Sequence, residues 1–164
     1  MSVHEPRIDY RRVGGALLKT FYDFHAATEA GGLEHSLLEL VKLRASQVNG
    51  CAYCVDMHSK DARAHGEQEQ RLYALPVWRE GPFFSERERA ALAWTEAVTR
   101  LVGEGVPDDL YAATRAHFSE AELVQLTFAV MAINGWNRLA TAFRPVPGTY
   151  KPVVRAADLA EKTE

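Results

Sequence analysis

Asn49-Gly50-Cys51-Ala52-Tyr53-Cys54-Val55-Asp56-Met57-His58 holds both cysteines of the 164-residue chain, with a histidine at helical spacing from them. On a helix, positions 51, 54 and 58 are three and then four residues apart, so Cys51, Cys54 and His58 share one face. Asn49-Gly50 interrupts the apolar period before it, which puts Cys51 at or near the start of a new helix. Unpaired backbone amides and the positive end of the helix dipole favour a thiolate there. The stretch reads as a reactive centre placed at a junction between two helices.

The periodicity on both sides is helical. Upstream, Leu37, Leu38, Leu40, Val41 and Leu43 form the buried side of a helix over about 34–48, and Leu17, Leu18, Phe21, Phe24 and Ala27 give an amphipathic helix over about 13–30. Gly31-Gly32 separates the two. Downstream, the helix carrying the motif runs to about residue 64 and stops at His65-Gly66, followed by a short helical segment near 67–75 and a Pro-rich connection over 76–82. Ser85 with Glu88 and Ser119 with Glu122 have capping-box spacing. They open helices through Leu101 and over about 120–143, with a shorter helix near 107–117 between them. The 120–143 helix is apolar on nearly every side and is expected in the core or at a subunit interface. No run has a convincing strand pattern. The expectation is an all-α fold: one domain of about six to eight helices over residues 13–144, an irregular arm at 1–12 and a tail at 145–164.

Composition narrows the function classes. A net charge of −3 with dispersed basic residues gives no electrostatic case for nucleic acid. No basic segment followed by an apolar core marks a secretory signal at the N-terminus, and the longest apolar run, 123–133, is too short to span a bilayer. A soluble, cytoplasmic protein without a membrane partner is expected. In a reducing compartment, a Cys-x-x-Cys pair points to catalysis, redox chemistry or metal binding rather than a static staple.

Glu39 lies twelve residues before Cys51, and a tight turn at Asn49-Gly50 would fold its helix back past the thiols and His58. Buried among leucines, Glu39 is expected to have a raised pKa and to accept or donate protons. Tyr53 offers a phenol to the same hydrogen-bond chain. Plainer readings exist: packed thiols, or a zinc site built from Cys51, Cys54, His58 and Glu39. The second lacks the second ligand pair of a typical structural zinc site. His65 reads as a helix C-terminal residue. His4, His25, His35 and His117 have no partner pattern, while Trp94, Trp136 and Phe128 read as core or interface. Asn134, Asn137 and Arg138 are unusually polar for their helix, as expected of a subunit contact or a fixed helix end.

Glu39, eleven intervening residues, Cys51-Ala52-Tyr53-Cys54 and then His58 form a pattern that resembles the alkylhydroperoxidase D-like branch of the carboxymuconolactone decarboxylase superfamily. The resemblance covers about residues 33–144, including the 86–94 segment and Ile133-Asn134-Gly135-Trp136-Asn137-Arg138. It implies an all-helical AhpD-like domain assembled into homo-oligomers such as trimers or hexamers. It also implies peroxidase or disulfide-reductase activity at the cysteine pair, with no cofactor and no metal. The superfamily's decarboxylases typically lack the pair. Where the best-characterised alkylhydroperoxidase D proteins have a relay histidine between the cysteines, this chain has Tyr53, as do many peroxidase-related members.

The mechanism expected from the resemblance has Cys54 attacking a hydroperoxide and Cys51 closing a disulfide. His58 assists deprotonation, Glu39 orients or relays through Tyr53, and an external thiol or disulfide reductant protein resets the pair. Helix-start position alone favours Cys51 as the attacker instead. A cofactor-free lyase and a redox-sensing oligomer are the alternative functions.

Overall fold

The computed structural model describes residues 5–103 and 105–152, so the first four residues of the expected arm and residues 153–164 of the expected tail lie outside the described residues. Among the described residues the chain is all-α, with eight helices and no strand: α1 (Tyr10–Val13), α2 (Gly15–Glu29), α3 (His35–Val48), α4 (Ala52–Ala64), α5 (Glu69–Ala74), α6 (Glu86–Arg100), α7 (Asp108–Arg115) and α8 (Glu120–Phe143). A short 3-10 turn, Leu75–Val77, follows α5. Both capping boxes form: the Ser85 and Ser119 side chains accept from the amides of Glu88 and Glu122, whose carboxylates accept from the serine amides in return. No helix among these residues is long and apolar enough to cross a membrane.

The molecule is built around α3, which packs against α4, α6 and α8. Every residue from Leu37 to Ser46 is buried. The more apolar α8 is enclosed on one side only, whereas this stretch of α3 is enclosed on all sides. α8 buries Leu126, Val130 and Ile133 but leaves Val124, Phe128 and Met131 exposed. Enclosure of α3 is possible because its charges are paired within the protein. Arg44 donates from Nε to Glu96 Oε1 at 2.8 Å, and the same carboxylate oxygen accepts from Trp78 Nε1 at 2.9 Å. Glu39 and Lys42 pair with each other.

The α3–α4 junction positions the cysteines. Gly50 has φ of 64°, a left-handed conformation that glycine adopts without strain. Its amide donates to Gln47 O and that of Cys51 to Ser46 O, the two bonds that close a helix C-terminus before the chain reverses. α8 clamps the turn. Asn49 Nδ2 donates to Asn134 Oδ1 at 3.0 Å and Asn137 Oδ1 at 2.8 Å, while Asn137 Nδ2 donates to Ser46 Oγ at 3.0 Å. The polar residues of α8 thus fix a turn inside the chain. Asn137→Ala is expected to cost roughly 1–3 kcal/mol, because it strips two bonds made by a fully buried side chain. The urea midpoint should fall with an unchanged slope, and an unchanged midpoint would contradict this role.

The arm differs from its expected irregularity. Asp9 accepts from the amides of Arg11 and Arg12 and caps α1. The Arg7 amide bonds Phe143 O at 2.9 Å, and the Tyr10 ring packs 5.7 Å from that of Phe143. These contacts dock α1 on the end of α8, with Tyr10 and Arg11 on the cavity described below.

Candidate active site

Cys51 is the N-cap of α4, and its sulfur accepts from the Cys54 amide at 3.3 Å. An N-terminal amide aimed at the sulfur stabilises negative charge there. Cys51 and Cys54 are joined as a disulfide. Both are buried, yet only Cys54 contributes to the wall of the large cavity beside α4. His58, one turn further along α4, lines the same wall.

Glu39 comes from α3, as the fold-back at Asn49-Gly50 requires. Its Oε2 lies 3.2 Å from His58 Nδ1, with both side chains about 5% exposed. An ionised carboxylate only accepts, so Nδ1 carries a proton, and in the neutral imidazole the lone pair is on Nε2. That Nε2 is buried and has no hydrogen-bond partner. It is the base-competent nitrogen of the site.

The expected raised pKa of Glu39 is reversed. Burial is the largest single influence and does push it upward. The hydrogen bond from His58 and the charge of Lys42 together outweigh burial, and hold the carboxyl well below the usual carboxylate range. Lys42 Nζ lies 2.5 Å from Glu39 Oε1 and 3.0 Å from Glu29 Oε1. Burial alone would lower Lys42, but these two carboxylates raise it above its ordinary value. Held ionised in this way, Glu39 is placed to orient His58.

Tyr53 does not stand between Glu39 and His58, which touch directly. Its hydroxyl accepts from Arg11 Nη2 at 2.9 Å, and the Arg11 guanidinium lies 5.4 Å from the Tyr53 ring centroid. The phenol therefore ties α4 to α1.

The cavity has a volume of about 660 Å³. Beside Cys54, Met57 and His58 it is bounded by Tyr22 and His25 of α2, Glu39 and Lys42 of α3, and Trp136 of α8. α2 approaches α8 closely at Gly135, where a Cβ would overlap the Phe21 ring. Tyr150 closes another side, its hydroxyl donating to Asp61 Oδ1 at 2.8 Å. Burial and then that bond raise Tyr150, and burial raises Asp61. His25 is lowered by burial, and its Nδ1 has no hydrogen-bond partner.

Sequence reading missed Lys42, Arg11 and Tyr150, and gave His25, His35 and His65 too little weight. One signal was present: His35, Glu39 and Lys42 stand four and three apart on one helix, where opposite charges meet. Arg11 and Tyr150 come from distant segments with no local pattern.

Two sets of ligand-type side chains converge here: Glu29 with His35 and Glu39, and Glu39 with His58 and Asp61. The Lys42 ammonium already bridges Glu29 and Glu39, so one cation occupies the first set's carboxylates. With both sulfurs committed to the disulfide, the Cys51–Cys54–His58–Glu39 zinc arrangement is not assembled in this form.

Residues 15–97 match the sequence profile of the Carboxymuconolactone decarboxylase family. The uncharacterised protein YdfG of Bacillus subtilis is 40% identical over 136 residues, which cover 83% of this chain and 92% of that one. Among solved structures, an Agrobacterium tumefaciens protein of unknown function, with a suggested antioxidant defence role as AhpD, superposes with a TM-score of 0.83. It is 44% identical, with 92% of this chain and all of that one covered. The debrominase Bmp8, solved with 2,3,4-tribromopyrrole, shares the fold at 19% identity and a TM-score of 0.69, over 88% of this chain and 75% of its own. Matched in sequence over half its length and in fold over nearly all of it, the chain belongs to the carboxymuconolactone decarboxylase family and has the fold of its AhpD-like members.

Proposed function

We propose that the chain is a thiol-dependent hydroperoxidase in which Cys54 is the attacking sulfur and Cys51 the resolving one. The observation that carries the reading is that Cys54, and not Cys51, shares the cavity wall with a buried histidine whose Nε2 has no partner. In the disulfide form Cys54 has no proton to give. In the reduced form its S–H is the donor that Nε2 lacks, and Glu39, held ionised by Lys42, stabilises the imidazolium that results.

The thiolate attacks the distal oxygen of ROOH: the S–O bond forms, the O–O bond breaks, and the alkoxide takes the His58 proton to leave as ROH. Cys51 then displaces water from the Cys54 sulfenic acid to give the disulfide. Reduction needs an external dithiol or a disulfide reductant protein. That donor attacks Cys54 on the cavity side and releases Cys51, whose negative charge the α4 amide stabilises.

The expected result is steady consumption of cumene hydroperoxide with dithiothreitol as reductant, one cumyl alcohol formed per dithiol oxidised. No protein-dependent consumption would overturn the reading. A lyase at this site would instead turn over its substrate with the disulfide intact. We also propose that the chain forms a homo-oligomer, a trimer or hexamer, since Val124, Phe128 and Met131 present an exposed apolar stripe on α8. Light scattering after size exclusion should give three or six times the 18.3 kDa chain mass. A monomeric mass would contradict it.

A further inference from the structure

Among the described residues, the cavity contains one arginine or lysine that no carboxylate answers. Lys42 is shared by Glu29 and Glu39, and Asp61 accepts from Tyr150. Arg11 is different. Its side chain donates a hydrogen bond to Tyr53 Oη, reaches the Tyr10 hydroxyl as well, and makes no ion pair among the described residues. A guanidinium offers five N–H donors in a planar fork, so most of this fork is unused. The rings of Tyr10 and Tyr53, with centroids 5.8 and 5.4 Å from the guanidinium carbon, hold it in place. Such a fork matches a carboxylate, which it binds with two parallel bonds.

The wall beside it is apolar and aromatic. Tyr22 and Trp136 have ring centroids 4.7 Å apart, and His25 meets Trp136 edge-on at 6.1 Å. Met57 and Ala140, which pack with Tyr53 and Cys54, also line the cavity. A volume of about 660 Å³ is typical of sites for organic molecules rather than for hydrogen peroxide, which is little larger than a water occupying roughly 30 Å³. Lys42, the other basic chain with a permanent charge on this wall, is taken by Glu29 and Glu39, which leaves Arg11 to meet an anion.

We propose that the substrate is an organic hydroperoxide with a flat apolar body and a carboxylate: Arg11 holds the carboxylate, Tyr22 and Trp136 hold the body, and the hydroperoxide is presented to Cys54. The reacting group rests on the thiol-peroxidase reading above, whereas the carboxylate and the body are argued from the cavity walls alone. The reaction is unchanged, the O–O bond breaking as the S–O bond forms, and the product is the matching hydroxy acid.

The test is isothermal titration calorimetry of the full chain in its disulfide form with 4-isopropylbenzoate and with 4-isopropylbenzamide, which differ in charge but little in shape. The benzoate is expected to bind at least tenfold more tightly. Arg11→Gln should bring the two within about twofold, and Arg11→Lys, which keeps the charge but loses the fork, should give an intermediate ratio. Arg11→Lys also serves if the glutamine variant does not fold. Equal affinities in the wild type, no binding of either compound, or a preference that survives Arg11→Gln would overturn the proposal. Reduced protein treated with 4-(2-hydroperoxypropan-2-yl)benzoate separates the two claims. Unreactive thiols alongside tight benzoate binding would overturn the peroxidase reading and leave the ligand class standing.

Discussion

Cys54→Ser is expected to lower hydroperoxide consumption by at least about a thousandfold, because a serine hydroxyl at neutral pH is not ionised and cannot replace the nucleophile. Cys51→Ser should behave differently. It keeps the attacking sulfur on the cavity wall but removes the group that displaces water from the sulfenic acid. One equivalent of peroxide should therefore be consumed rapidly, after which turnover stalls with Cys54 as a sulfenic acid that dimedone traps. The contrast decides the order of attack. The Cys51 sulfur sits at the α4 N-terminus, accepting from the Cys54 amide, and this favours its negative charge. Cys54 has the cavity and His58. If Cys54→Ser gave the single-turnover burst and Cys51→Ser gave none, the helix terminus would have outweighed access, and the roles would be exchanged.

Glu39→Gln is expected to reduce the rate of Cys54 oxidation by roughly 10²–10⁴ and to destabilise the fold by about 3–5 kcal/mol. Both effects have one cause. A glutamine has one acceptor oxygen to offer where the carboxylate has two, and it must serve both Lys42 and His58. Whichever it does not face meets its amide N–H groups, so either a buried ammonium loses a partner or the imidazole loses the charge that fixes its tautomer. The pH dependence follows from the two shifts. Glu39 is held below its ordinary range, so its stabilising contribution is complete above the unfolded carboxyl value of about 4.3 and is lost as pH falls through the folded value. Lys42 is held above its ordinary value, so its contribution is complete below about 10.4 and is lost as pH rises through the folded value. Urea titrations of the wild type should show stability declining below about pH 5, and Glu39→Gln should flatten that acid slope. An acid slope equal to that of the wild type would mean that Glu39 is not the group responsible.

Much of this was local enough to read in the sequence. Capping boxes need only a serine and a glutamate three residues apart, and both formed where their spacing put them. The Asn49-Gly50 turn is written in two residues and placed Cys51 at the head of α4. Once α3 and α4 are antiparallel, Glu39 and His58 follow. What could not be read is set by contacts between segments far apart in sequence. Whether a helix with Glu39, Lys42 and Arg44 can be buried depends on Glu29 and Glu96 arriving from α2 and α6. Burial of a carboxyl among leucines predicted a raised Glu39, and the hydrogen bond from His58 on α4 together with the charge of Lys42, itself held from its other side by Glu29, reverses the sign. The short α1 looked irregular because four residues have too few turns to show a period. Its order comes from Asp9 and from docking on the end of α8.

The central claim is that the Cys51–Cys54 pair takes its oxidising equivalents from a hydroperoxide. The most direct measurement is intact and peptide mass spectrometry of reduced, chelator-treated protein after one equivalent of cumene hydroperoxide. The account predicts loss of two hydrogens from the chain, a single peptide bearing the Cys51–Cys54 disulfide, and one equivalent of cumyl alcohol. Thiols that remain unreacted while the hydroperoxide persists would contradict it.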